Sequence, residues 1–146
     1  VHVDVTTEIV INRPVHMVAD YAGNPDNAPE WYLNIKRVEW KSVPAVALGA
    51  QIAFVAQFLG RRMAYTYEIV ELIHDQWLVM RTVNGPFPME TSYAWARTLD
   101  GRTKMTLRNR GEVTGMAKWL APLMTMSMRR ANRKDLDRLK CILEQS

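Results

Sequence analysis

The sequence predicts an α+β domain in which an antiparallel sheet of seven strands curls around one long C-terminal helix. Three observations predict it. The first eleven residues alternate apolar and polar, the middle of the chain is a series of strand-length runs cut by Gly, Pro and Asp turns, and after Gly115 the apolar period lengthens from two residues to between three and four. At 146 residues the chain is one domain's worth, and we read 1–146 as a single domain. A fold of this size buries roughly 68–70% of the surface its unfolded chain exposes, enough for a true core. Apolar residues make up 48% and charged residues 23%, which argues against a disordered, collagenous or disulfide-scaffolded chain.

In Val3 to Ile11, residues Val3, Val5, Thr7, Ile9 and Ile11 share one face and Asp4, Thr6 and Glu8 the other, the period of a strand with one wet side. Asn12-Arg13-Pro14 stops it. Asn12 suits an N-cap and Pro14 a first helical turn, so a helix of about two turns follows, with Val15, Val18, Ala19 and Ala22 as its stripe. Gly23-Asn24-Pro25 breaks that helix, and Asp26 to Leu33 reads as a second short one anchored by Trp31. Six strands follow: Ile35–Ser42, Gly49–Phe58, Arg62–Ile73, Gln76–Val83, Met89–Thr98 and Arg102–Val113. Asp100-Gly101 joins the last two as a hairpin, because Gly supplies the positive φ of a tight turn.

After Gly115, Met116, Leu120, Leu123, Ser127 and Ala131 recur at helical steps, and Trp119, Met124, Met128, Leu136, Leu139 and Leu143 widen the apolar side. This reads as one helix of about 30 residues, roughly 45 Å long. Pro122 lacks an amide hydrogen and crowds the preceding turn, so a bend is expected near Lys118–Pro122. A meander and one long helix hide both apolar faces if the sheet curls and the helix lies across its concave side. A helix rarely fills so curved a sheet, so a cavity is expected between them.

The net charge is +4, and all of the excess lies in the last segment. Residues 1–114 hold 12 basic and 12 acidic side chains, whereas 115–146 hold 7 basic and 3 acidic. A basic helix can attract nucleic acid or anionic lipid. The reading adopted is a solvated face on which Asp135 and Asp137 stand within helical reach of Arg and Lys. We therefore expect no nucleic-acid partner and no stable membrane insertion; the most apolar window, Val113 to Met128, falls short of the ~20 residues a span needs. Cys141 is the single cysteine, so the fold needs no oxidising compartment. The sequence opens on a strand rather than on a secretory signal, and a cytoplasmic location is expected.

Several pieces of the chain resemble the START-like (SRPBCC) superfamily, and its polyketide cyclase/dehydrase branch in particular. They are Ile9-Val10-Ile11-Asn12-Arg13-Pro14, Asn24-Pro25 before Trp31, Leu59-Gly60-Arg61-Arg62, Tyr67-Glu68-Ile69-Val70-Glu71, Tyr93-Ala94-Trp95, and Met105-Thr106-Leu107 ahead of a Gly-headed terminal helix. Their order and spacing cover nearly the whole chain. The resemblance implies a helix-grip fold with a deep tunnel for an apolar or aromatic small molecule. It does not imply one activity, because such folds serve as lipid carriers, hormone receptors, polyketide cyclases and oxygenase subunits.

The residues themselves exclude several chemistries. His2, His16 and His74 lie at a terminus, in a short helix and in a turn, and no Gly-x-Ser-x-Gly elbow is present. No His-x-x-x-His or Cys-x-x-Cys pair offers a metal site, and the seven scattered glycines form no phosphate loop, so no cofactor or metal is expected. What remains is a set of inward positions. Alternation groups Tyr65, Tyr67 and Ile69; Met89, Thr91, Tyr93 and Trp95; Met105, Leu107 and Asn109; and Ile52, Phe54 and Ala56. From the helix, Met116, Trp119, Leu120 and Met124 are expected to face the sheet, with Trp31 closing one end. Such a lining of Met and aromatic groups suits a flat, partly polar ligand, although the same residues can simply fill a core. The leading expectation is therefore a binder of a hydrophobic, cyclic or acyl small molecule, as monomer or homodimer. The alternative is a polyketide cyclase/aromatase or dehydratase, in which Asn109 polarises a carbonyl and a tyrosine moves a proton. That chemistry needs a base. Glu71 and Glu90 come nearest, although strict alternation sets Glu90 opposite Tyr93; Arg81 could assist enolisation, but both faces of its strand are apolar, leaving its direction open.

Overall fold

The computed structural model describes residues 2–58, 60–113 and 119–145. Strand β1 (His2–Ile11) leads into α1 (Val15–Ala22), a 3₁₀ turn (Pro25–Asn27) and the one-turn α2 (Ala28–Trp31). Strands β2 (Ile35–Trp40), β3 (Gln51–Phe58), β4 (Arg61–Ile73), β5 (Trp77–Asn84), β6 (Met89–Arg97) and β7 (Thr103–Glu112) follow, and α3 (Ala121–Gln145) ends the chain. The seven strands form one antiparallel sheet in the order β1-β7-β6-β5-β4-β3-β2. Only β1 departs from sequence order, pairing with β7 so that its outer edge meets α3. Register shifts in β4, at Thr66/Tyr67 and Ile69/Glu71, and between Ile35 and Arg37 in β2 add local twist and bend the sheet into a grip. This is the expected helix-grip architecture.

Three local expectations are corrected. Asn12 does not cap α1: Pro14 occupies the cap position, with no side-chain bond. The Asn12 backbone N–H instead donates to Glu144 Oε2 at 2.7 Å, tying the strand exit to the end of α3. The second helix is short, because a 3₁₀ turn takes Pro25–Asn27 and only Ala28–Trp31 is α-helical. The α3 helix starts at Ala121 rather than before it, so Pro122 stands in its first turn, where a missing amide breaks no bond. The bend expected at Lys118–Pro122 falls partly on residues 114–118, outside the described residues.

The late start resets which face of α3 points inward. Ala121, Met124, Asn132, Asp135, Leu136, Leu139 and Leu143 are buried, the recurrence of one helical stripe. Trp119 and Leu120 fall off that stripe and are 77% and 52% exposed. The core divides accordingly. One cluster packs Leu136, Leu139 and Leu143 against Ile11, Val18, Trp31 and the inner faces of β3 to β7. A smaller one joins Ala121 and Met124 to Val3, Val5 and Val113.

The basic side chains of α3 are used partly as fasteners. Arg133 donates to the Glu8 carbonyl at 2.9 Å, Lys140 to the Val10 carbonyl at 2.7 Å, and Arg138 to the Glu30 carbonyl at 2.5 Å. Among the described residues, no helix is long and apolar enough to cross a membrane.

Candidate functional site

Where the two core clusters meet, the packing is incomplete. A cavity of about 170 Å³ lies between α3 and strands β3 to β7. An apolar cavity of about 150 Å³ in another protein suffices to hold benzene. Strand alternation supplies the aromatic wall. Phe54 of β3 pairs in register with Tyr65 of β4, and the Phe54 ring meets Tyr67 edge-on at 5.7 Å. Tyr65 lies 6.2 Å from Tyr67 and meets Phe87 edge-on at 6.1 Å. Met63, Met80, Met89, Met124 and Met128 fill the gaps between rings. Their thioether chains adapt to irregular guests.

The polar groups gather in two sets. The first is a ladder across the sheet to the helix. Thr91 Oγ1 lies 3.3 Å from the Tyr67 hydroxyl and donates to Asn109 Oδ1 at 2.7 Å, and Asn109 Nδ2 donates to Asn132 Oδ1 at 3.3 Å. Thr91 faces Asn109 because β6 and β7 pair there. The ladder ends on Asn132 Nδ2, which is buried without an acceptor among the described residues. Burial pushes the Tyr67 hydroxyl up to about 12.

The second set is a phenol pair beside a carboxylate. The Tyr32 and Tyr93 hydroxyls share a hydrogen bond of 2.6 Å. Trp31 backs this pair, with its ring 4.0 Å from Tyr32 and 5.9 Å from Tyr93. Burial, together with the partner phenol, raises Tyr32 well above an ordinary phenol. Burial likewise raises Tyr93. Asp135 is only 2% exposed and lines the cavity. Its Oδ1 accepts the Leu33 backbone N–H at 3.0 Å. Burial pushes its carboxyl up to about 6, an effect the Leu33 bond only partly offsets. Among the described residues no Lys, Arg or His stands within ion-pair distance of it.

Of the residues singled out from sequence, Phe54, Tyr65, Tyr67, Tyr93, Asn109 and Met124 line this cavity together. Met116 lies outside the described residues. Trp119 and Leu120 do not line it, because the register of α3 turns them to solvent. Trp31, Met105 and Leu107 do not line it either; they are fully buried in the main core cluster with Leu136, Leu139 and Leu143. Trp95 faces a second crevice near α1, with Gly23, His74 and Asp75. There the ligand atoms of Asp20, His74 and Asp75 lie within 4.8 Å of one another, although Asp20 and His74 stand in solvent, where water competes for them.

The sequence reading overlooked Tyr32 and Asn132, and it set Asp135 on a solvated face beside Arg and Lys, whereas the register of α3 turns Asp135 inward and buries it. For Asp135 one signal existed: it is three residues from Asn132 and one from Leu136, on the same stripe as the core leucines. Glu90 and Arg81, the acid–base candidates, lie on the outer face instead. Arg81, Glu90 and Arg110 stand opposite one another on β5, β6 and β7. Arg81 Nε donates to Glu90 Oε2 at 2.7 Å, and Arg110 holds the other oxygen.

The family described as "Polyketide cyclase / dehydrase and lipid transport" matches residues 2–144. The chain belongs to this family. Solved structures agree with this START-like fold. The protein TTHA0849 from Thermus thermophilus superposes with a TM-score of 0.84 at 16% identity, covering 97% of both chains. A START superfamily protein from Mycobacterium smegmatis gives 0.80 at 13% identity over 99% of each. The Zhui aromatase/cyclase from Streptomyces sp. R1128 gives 0.83 at 14% identity, covering 99% of this chain and 95% of that one. At these identities the likeness speaks for the polyketide cyclase/dehydrase fold alone. No curated protein matches the sequence.

Proposed function

We propose that this chain binds a small, ring-bearing hydrophobic molecule in the cavity beneath α3. The observation that carries the reading is the unfilled space of about 170 Å³ at the junction of the two core clusters. Close packing is the rule in protein interiors, and side chains that border unfilled space forgo contacts they would otherwise make. A guest recovers that loss by supplying the missing contacts. The wall is mostly aromatic and thioether, with its polar groups gathered in two sets, the usual form of a site that orients a flat guest.

Filling the space tests it. Ala56 and Ala131 both line the cavity with the smallest side chains of its wall, so a larger residue there would occupy it. Toluene and indole should perturb the NMR methyl signals of Met80 and Met124 in the parent protein. In Ala56→Phe, and independently in Ala131→Phe, that perturbation should vanish while the fold persists by circular dichroism. Equal perturbation in the filled variants, or none in the parent, would remove the reading.

A second reading, acid–base cyclisation or dehydration of a poly-β-keto chain, draws on Asp135 beside the Tyr32–Tyr93 pair. A carboxylate with a raised pKa can take a proton from carbon between two carbonyls, while a phenol donates to the oxygen that gains charge. The aromatase/cyclase neighbour supports this reading by fold. Turnover of a short poly-β-keto thioester that is lost in Asp135→Asn supports it; absence of turnover in the parent removes it.

A further inference from the structure

We propose that the cavity selects an organic cation, a protonated amine on a small ring, with its nitrogen paired to Asp135 and its apolar body among Phe54, Tyr65 and Tyr67. This rests on the binding reading above and adds the chemical class of the guest.

The first argument is charge. Asp135 is 2% exposed, has one oxygen bonded to the Leu33 N–H, and has no cation within ion-pair distance among the described residues. Burying a charged group without a partner is expensive, and folding has already stripped this carboxylate of water. An entering ammonium therefore gives up only its own hydration, whereas an ordinary buried ion pair requires both groups to be desolvated. A neutral hydroxyl would make one hydrogen bond and leave the charge in place.

The second argument is the wall. Four tyrosines and two phenylalanines line the space, and aromatic rings attract cations through their quadrupoles. The third is Asn132, one helical turn before Asp135, whose buried Nδ2 has no acceptor among the described residues. A carboxylate that needs a cationic donor and an amide that needs an acceptor stand on one helix face. The pattern suits an amine with an oxygen a few atoms from its nitrogen.

Among the described residues, Asp135 is the one acidic side chain of the cavity wall. Tyr32 and Tyr93 approach from the segment after α2 and from β6, and both titrate far above neutrality. On its own helix, Arg130 and Lys134 line a separate groove to which Asp135 also contributes, and Arg138 is bonded to the Glu30 carbonyl.

The probes are benzylamine, its neutral isostere benzyl alcohol, and toluene, each titrated calorimetrically into the full chain at pH 8 and pH 5. The amine stays protonated across this range, while Asp135, with its carboxyl pushed up to about 6, gains a proton. At pH 8 benzylamine should bind about tenfold more tightly than benzyl alcohol, the ratio expected when a charged hydrogen bond replaces a neutral one. That preference should vanish at pH 5 and in Asp135→Asn, with toluene and the alcohol unaffected. Where Asp135→Asn fails to fold, the pH comparison on the unaltered chain decides. Toluene or benzyl alcohol binding as well as benzylamine at pH 8, still blocked by Ala131→Phe, would overturn the cation inference and leave the binding reading intact. No binding by any of the three would overturn both.

Discussion

Asp135 Oδ1 accepts the backbone N–H of Leu33 at 3.0 Å across 102 residues of sequence, and so the long helix is pinned to the segment after α2 by a buried carboxylate. The bond satisfies one backbone donor but leaves the carboxylate inside an apolar wall. Its effect on stability has a definite sign. Burial pushes the Asp135 carboxyl up to about 6 in the folded chain, against 3.8 as the reference for the unfolded one. Between those values the native state holds the proton more tightly, so stability falls as pH rises from about 4 to 6 and is flat above. The full difference is about 3 kcal/mol at 1.36 kcal/mol per pKa unit. Asp135→Asn should therefore be more stable than the parent by about 2–3 kcal/mol at pH 8 and equal to it at pH 4. Urea melts of the two proteins at both pH values measure this. Equal midpoints at pH 8 would show that Asp135 is not destabilised by burial.

Tyr32 and Tyr93 bond to each other inside the structure, so removing either hydroxyl strands the other. Tyr32→Phe and Tyr93→Phe should each cost about 1–3 kcal/mol, and the double variant less than the sum. A double-mutant cycle from chemical denaturation reads out the coupling. Strict additivity would mean that the two hydroxyls do not act together.

Gly111 of β7 sits beneath Met89 of β6, its register partner. A Cβ at Gly111 would collide with the Met89 sulfur and approach the Pro88 carbonyl to 3.1 Å. Met89 also lines the cavity, so Gly111→Ala should drive its side chain inward. Stability should drop by about 1–3 kcal/mol, as overpacking usually costs, and toluene binding should weaken. Unchanged binding with a displaced Met89 signal would show that the side chain moved outward.

Glu90 bridges Arg81 and Arg110 on the outer face. Its burial opposes ionisation, but the two guanidiniums outweigh that and hold its carboxyl below the usual range. A depressed folded-state value means the contribution is present above the ordinary carboxylate pKa and fades as pH falls through the folded one. Glu90→Gln should thus lower stability by about 1 kcal/mol or less at pH 7, with the difference shrinking in acid. Ligand titrations should be unchanged, and a loss of binding would place Glu90 in the site after all.

Much of the architecture was legible in the sequence because it depends on local periods. Period-two runs such as Met89 to Trp95, turn pairs such as Asp100-Gly101 and the helical stripe after Gly115 each report on their own segment. They determined the sheet, the helix and the inward aromatic rows, including Phe54, Tyr65, Tyr67 and Tyr93. Tertiary structure alone decided where the packing fails and which polar groups meet there. The Tyr32–Tyr93 bond joins residues 61 apart, the Asp135–Leu33 bond residues 102 apart, and no local period encodes such a meeting. The same holds for Trp119: its place on the apolar stripe suggested burial, but the start of α3 at Ala121 set the helix register and turned it outward. A side chain's direction is local chemistry, whereas the emptiness beside it is a property of every element around it.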